Sequence, residues 1–285
     1  MTRNFRDLLE AKWTEGKFVC VGLDSELKKI PQCLKDAWST KGDQIVSFNQ
    51  SIIRATRDIV LAYKPNLAFY MAHGDEGLQA LWRTCNIIHD EASDVPIILD
   101  AKFADIGNTN AGYVQFAFEY LKADAVTVNP YLGREALQPF LDCKDKGIIV
   151  LCRTSNKGAG EFQNLVSAAP GGAGYRELYQ QVASRVLEDW NENGNCGLVV
   201  GATRPEELAE VRYGIGDKMP LLIPGIGVQG GDVEKTVKAG QDSRGKGMII
   251  NSSRGIIFAS NGPDFAAVAR SETLKLHYSI NQYFF

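Results

Sequence analysis

Eight short segments rich in Val, Ile, Leu and Phe recur along the chain, at 17–23, 61–69, 95–101, 124–129, 147–153, 197–202, 220–225 and 247–252. Most are followed by a loop and a stretch with helical spacing. SFNQSIIRATRDIV places apolar residues every three to four positions, and TRPEELAEVR opens with Thr203 as the expected N-cap and Glu206 three residues on. Strand alternating with helix implies a parallel sheet. Eight such units either close into a (β/α)8 (TIM) barrel or split into two doubly wound halves. No composition shift, Pro/Ser-rich linker or internal repeat divides the chain. The expectation is therefore an α/β fold, one barrel domain over residues 1–285, with enough hydrophobic residues (45%) for a substantial core.

Charge excludes several classes of partner. Thirty-one basic and 34 acidic residues give a net −3 with no long block of one sign. Nucleic acid and anionic membranes are not expected to bind, and an anionic ligand needs a local basic site. The six cysteines form no C-x-x-C pair and several lie in apolar runs, which suits a reducing, cytoplasmic compartment. The N-terminus has no apolar h-region, and no run approaches the roughly eighteen apolar residues of a membrane span, so a soluble, unsecreted protein is expected. His73, His89 and His277 have no partner spacing, and no metal site is expected. The polar, glycine-rich stretch 156–174 is a candidate lid.

Ligands of a parallel barrel sit at the C-terminal strand ends. The polar residues expected there are Asp24, Lys64, Asn66, Asp100, Lys102, Asp105, Thr154, Ser155, Gln229, Ser253 and Arg254. The densest segment is ILDAKFADIGNT. Asp100 and Lys102, two apart on an extended strand, point to one face. With Lys64 on the neighbouring strand, two ammoniums and a carboxylate share a small volume, and a second carboxylate must balance them; Asp105 is the nearest candidate. Asp100 and Lys102 alone could be a plain ion pair at a strand end. Four alternating buried charges cost several kcal/mol of desolvation, which favours function over stability as their reason.

The motif D-x-K-x-x-D-I-x-N-T, here Asp100, Lys102, Asp105, Ile106 and Thr109, resembles the signature of orotidine 5′-monophosphate decarboxylases. VGLDSE, YKPNLAFY, LCRTSNKG, LIPGIGVQGGD and NSSRGI follow the family order over nearly the whole chain and resemble its longer subgroup. The resemblance implies conversion of OMP to UMP and CO2 without a cofactor. It makes Lys102 the proton donor at C6 of the pyrimidine, Asp100 the neighbour of the scissile carboxylate, and Lys64 the second cation of the network. It gives Asp24 to the ribose hydroxyls, with Asn66 two residues beyond Lys64. Ser155, and with less support Thr154, falls to the pyrimidine amide edge. It also implies a homodimer in which Asp105 and Thr109 reach the partner's site. One departure is Ser253, where many members have Gly before the phosphate-binding arginine.

The phosphate site has its own physical argument. PGIGVQGGD supplies four glycines ahead of a helix, where backbone N–H groups and the dipole favour an anion, while Arg254 supplies a fork and Gln229 a further donor. Two alternatives remain at this stage: a metal-assisted sugar-phosphate decarboxylase on the same barrel, which needs oxygen ligands for Mg²⁺, and a non-catalytic nucleotide-binding protein, which needs the pocket but not the lysine. A Schiff-base aldolase is disfavoured, because its lysine works best desolvated and away from carboxylates, whereas Asp100 and Asp105 flank Lys102.

Overall fold

A computed structural model describes residues 3–168, 174–226 and 231–284. Its strands, in chain order, are β1 (Val19–Leu23), β2 (Ala62–Pro65), β3 (Ile98–Phe103), β4 (Ala125–Val128), β5 (Gly147–Arg153), β6 (Val166–Ala168), β7 (Tyr175–Glu177), β8 (Cys196–Val200), β9 (Leu221–Pro224) and β10 (Met248–Ser252). β6 and β7 pair antiparallel as a separate hairpin. The other eight form one parallel sheet in the order β2-β1-β10-β9-β8-β5-β4-β3. Its end strands meet through bridges at Tyr63–Ile97 and Asn66–Asp100, with Tyr63 N donating to Pro96 O at 3.0 Å. The eight apolar segments are thus the eight strands of a (β/α)8 barrel. Every residue of β1, β2, β4, β8 and β10 is buried, which is why these strands read as mostly apolar runs rather than alternating ones.

The N-terminal helix Phe5–Thr14 closes the lower end of the barrel. Asn4 caps it by accepting from Arg6 N and Asp7 N. The Trp13 indole donates to Met248 O, at the foot of β10, at 2.8 Å. Functional side chains are therefore confined to the opposite end, where the loops enter the helices. No described helix is long and apolar enough to cross a membrane.

Three boundaries differ from the expectation. The second strand ends at Pro65 rather than running to 69, because Asn66 caps the helix Leu67–Met71, its side chain accepting from Ala68 N at 3.2 Å. The helix expected to be capped by Thr203 begins at Pro205 with Arg204 as N-cap, proline's fixed φ suiting the first helical position. The stretch 156–174 carries helical turns at Lys157–Ala159 and Gly160–Gln163 and then the β6 strand; 169–173 lie outside the described residues.

Candidate active site

The centre of the site is an irregularity between β3 and β4. Leu99 pairs with Val126 and Phe103 with Val128, so Asp100, Ala101 and Lys102 stand opposite one residue, Thr127. Lys102 takes up the excess with φ +54°, a left-handed conformation that costs a non-glycine residue about 1–3 kcal/mol. Extended alternation was the expected reason for Asp100 and Lys102 to share a face. A bulge with a left-handed lysine does it instead.

Asp100 collects four donors. Its Oδ1 accepts from Lys102 Nζ at 2.5 Å and Thr127 Oγ1 at 3.0 Å, and its Oδ2 from Lys64 Nζ at 2.9 Å and Asn66 Nδ2 at 3.3 Å. Burial alone would push the Asp100 carboxyl up, but Lys64 and Lys102 outweigh it and hold the group well below the usual carboxylate range. Burial likewise opposes the Lys64 charge, and Asp100 and Asp24 overcome it, raising that ammonium above its ordinary value. Both groups are ionised at neutral pH. Cys20, deep in β1, is pushed up to about 12 by burial against the opposing field of Lys64, so its thiol adds no charge.

The second balancing carboxylate is Asp24, whose Oδ1 lies 3.8 Å from Lys64 Nζ. Asp105 does not join within the chain. Its Oδ1 accepts from Ile106 N at 2.7 Å, and the neighbouring Ile106 and Thr109 are exposed on the rim.

Asp24, Lys64, Asn66, Asp100, Asn251, Ser253 and Arg254 line a cleft of about 310 Å³, and Lys102 stands outside this lining. Two buried acceptors in it, Asp24 Oδ1 and Asn251 Oδ1, have no hydrogen-bond donor among the described residues. An unpaired buried acceptor costs about 1–3 kcal/mol, which a donor on a ligand offsets. Asn251 was not singled out from the sequence, although it sits two residues before Ser253 in the NSSRGI segment. Thr127 offered no signal at all, because its position depends on the bulge.

Arg254 opens the short helix Arg254–Ile257, and its exposed guanidinium makes no hydrogen bond to a described residue. The preceding Ser253 packs so closely on β1 that a Cβ at Gly22 would lie 1.9 Å from its Oγ and 2.8 Å from its Cβ. Gln229, with Gly227 and Gly230, lies outside the described residues. Gly231 N donates to Gly225 O at 3.1 Å. The helix Val233–Gly240 beyond it carries its own acidic cap, Asp232, which accepts from Lys235 N at 2.9 Å. The helix end is already occupied by a carboxylate, so Arg254 rather than the dipole is the main attraction for an anion.

The remaining residues form the root of the 156–174 stretch. Thr154 Oγ1 donates to Asn156 Oδ1 at 2.7 Å and accepts from Gln163 Nε2 at 2.8 Å, while Thr154 N donates to Gln163 Oε1 at 2.9 Å. Gln163 is tied in turn to Arg153, a buried guanidinium paired with Glu207. The Thr154 hydroxyl is committed to this network. Ser155 packs against Gly201, where a Cβ would meet that of Ser155 at 2.9 Å.

Comparisons with known proteins agree with this geometry. The model of the orotidine 5′-phosphate decarboxylase / HUMPS family matches residues 17–269. An orotidine 5′-phosphate decarboxylase of Azoarcus sp. is 47% identical over 282 residues, 98% of this chain and 99% of that one. Among solved structures, Leishmania donovani OMP decarboxylase superposes with a TM-score of 0.79 at 36% identity, covering 96% of this chain and 99% of that one. Leishmania donovani UMP synthase superposes with a TM-score of 0.85 at 38% identity; the match covers 99% of this chain but 57% of that longer one. A match that begins just ahead of β1 and ends within the last helix takes in all eight barrel strands and every residue of the cleft, and the chain belongs to the orotidine 5′-phosphate decarboxylase / HUMPS family.

Proposed function

We propose that this chain converts orotidine 5′-monophosphate to UMP and CO2, a step of pyrimidine biosynthesis, from one barrel domain spanning residues 1–285 and without a cofactor. The observation that carries the reading is Asp100, ionised between the ammoniums of Lys64 and Lys102, in a cleft that Arg254, without an ion pair among the described residues, also lines. The near full-length relatives named for this reaction support it over a metal-assisted sugar-phosphate reaction.

In this mechanism the bond from C6 to the carboxylate breaks heterolytically and CO2 leaves. The electron pair stays on C6 and takes a proton from Lys102 Nζ, so that OMP and one proton give UMP and CO2; solvent then reprotonates the lysine. The Lys102 ammonium faces the charge as it develops, which is where a fixed dipole or charge lowers a barrier most. Asp100, saturated by four donors, stays anionic and disfavours a second carboxylate beside it. Arg254, Gln229 and the backbone at Ser253 hold the 5′-phosphate, whose binding energy organises the distant base. Asp24 accepts from the ribose hydroxyls, Asn66 supports Asp100, and Ser155, with Thr154 behind it, faces the pyrimidine amide edge. Asn251 Oδ1 is a second open acceptor for the nucleotide.

The site is completed in a homodimer, where Asp105 and Thr109 of each chain reach the other's nucleotide. Exposed Ile106, Tyr131 and Leu132 beside them are the apolar surface such an interface covers. Six unpaired cysteines agree with a reducing, cytoplasmic setting. The test is the loss of OMP absorbance in excess EDTA, with the wild type beside Lys102→Ala. Loss in the wild type alone, with UMP still binding to the variant, is the expected result. No loss with a folded wild type overturns the reading and points to Mg²⁺ and sugar phosphates.

A further inference from the structure

We infer that Thr127, on β4, is the positioning residue that holds Lys102 and Asp100 in their reactive arrangement; the inference rests on the decarboxylase reading. Three residues of β3 stand opposite Thr127, so the ladder cannot satisfy their backbone groups in the ordinary way. The Thr127 hydroxyl replaces it. Its Oγ1 accepts from Ala101 N at 3.1 Å and Lys102 N at 2.9 Å, and donates to Asp100 Oδ1 at 3.0 Å.

The valence of a hydroxyl makes this arrangement directional. It has two acceptor lone pairs and one proton. Two N–H groups fill the lone pairs, and the proton is left for the carboxylate. One buried atom, in a residue 1% exposed, therefore fixes the left-handed backbone of the lysine and the rotation of the aspartate beside it. Asp100 Oδ1 is also the atom that receives Lys102 Nζ, so the two side chains are registered against one another through Thr127. The Thr127 hydroxyl is spent on β3 and buried, so it has no free group to offer a nucleotide. Its loss should disturb the chemical step rather than nucleotide binding.

The experiment compares Thr127→Val, which keeps the shape and removes the hydroxyl, with Thr127→Ser, which keeps the hydroxyl. Steady-state OMP turnover is measured beside calorimetric UMP binding. Removing a hydroxyl that donates to a charged acceptor lowers kcat by about ten- to a hundredfold on the usual scale for such bonds. The expected result is that loss for Thr127→Val, UMP affinity within about threefold of wild type, and most of the turnover returned by Thr127→Ser. Unchanged kcat in Thr127→Val overturns the inference. So does a parallel fall of kcat and UMP affinity that serine does not repair, which marks a purely structural role. Should Thr127→Val fail to fold, Thr127→Cys against Thr127→Ser makes the same comparison with the volume nearly kept. A wild type without OMP turnover defeats the proposed function instead, so the two failures are distinguishable.

Discussion

The contact between Gly22 and Ser253 allows a sharp test of how the phosphate side of the cleft is built. A Cβ added at Gly22 would lie 1.9 Å from Ser253 Oγ and 2.8 Å from Ser253 Cβ. The serine hydroxyl is able to rotate away, but its Cβ is fixed to the backbone and no rotamer relieves the second contact. Gly22→Ala must therefore displace the end of β10, and Arg254 with it. Overpacking of this kind costs about 1–3 kcal/mol, or roughly five- to 150-fold in the affinity of a ligand that needs the undisplaced backbone. Ser253→Gly removes both clashing atoms, leaving the Asn251 side-chain oxygen at 3.3 Å as the nearest neighbour of the new methyl. The assay is UMP binding by calorimetry with urea unfolding alongside. Gly22→Ala should lose affinity and stability, Ser253→Gly little of either, and the double variant should recover most of both. The coupling in the cycle should then be about 1–3 kcal/mol, favourable. Simple additivity, with the double variant as weak as Gly22→Ala, would refute the steric account of this side of the site.

Two further predictions concern the charges. Lys64→Met breaks a buried pair and should cost about 3–5 kcal/mol of stability at neutral pH by urea unfolding. The folded Asp100 carboxyl lies below its unfolded value of 3.8, so the stability that it contributes is complete above that pH and lost as pH falls through and below it. The gap between wild type and Lys64→Met should shrink below about pH 4; a gap that stays constant from pH 7 to pH 3 would show that Asp100 is not held by Lys64. Mixing Lys102→Ala with Asp105→Ala, each inactive alone, should regain about a quarter of wild-type turnover once the dimers re-equilibrate, because half the dimers are hybrids with one intact site. No recovery, with hybrids present by native mass spectrometry, would remove Asp105 from the shared site.

The barrel was legible because its strands are buried on both faces. A largely apolar run of four to seven residues, repeated eight times, leaves few other ways to bury that surface. Strand ends were less legible, since local chemistry sets them. Asn66 reads as the continuation of a strand facing the same way as Lys64, yet it is a helix cap that also reaches Asp100. The charged residues were visible as a list, but their pairing was not. Spacing favoured Asp105 as the balancing carboxylate because it is near in sequence, whereas the closed barrel brings Asp24 from β1 to 3.8 Å from Lys64. Thr127 and Asn251 are ordinary strand residues by composition, and only the register of β4 and β10 against their neighbours gives them a task.

Under the proposed mechanism, the same geometry gives a chain with four balanced charges a use for a partner. Lys64 and Lys102 against Asp24 and Asp100 leave this network neutral, and the buried Lys64 faces both carboxylates. Lys102 is different: its side chain is 47% exposed, and among the described residues only Asp100 pairs with it. An ammonium has three donors, so a lysine that must present one hydrogen to C6 has two others to anchor. In the proposed dimer the partner's Asp105 would supply the second anchor and would make the assembled site net negative before the substrate carboxylate arrives. That excess charge would disfavour the bound substrate and would be relieved as CO2 departs, with the phosphate held at a distance by Arg254 as proposed. On this reasoning the dimer contributes to the chemical step itself, and the hybrid experiment measures catalysis rather than assembly.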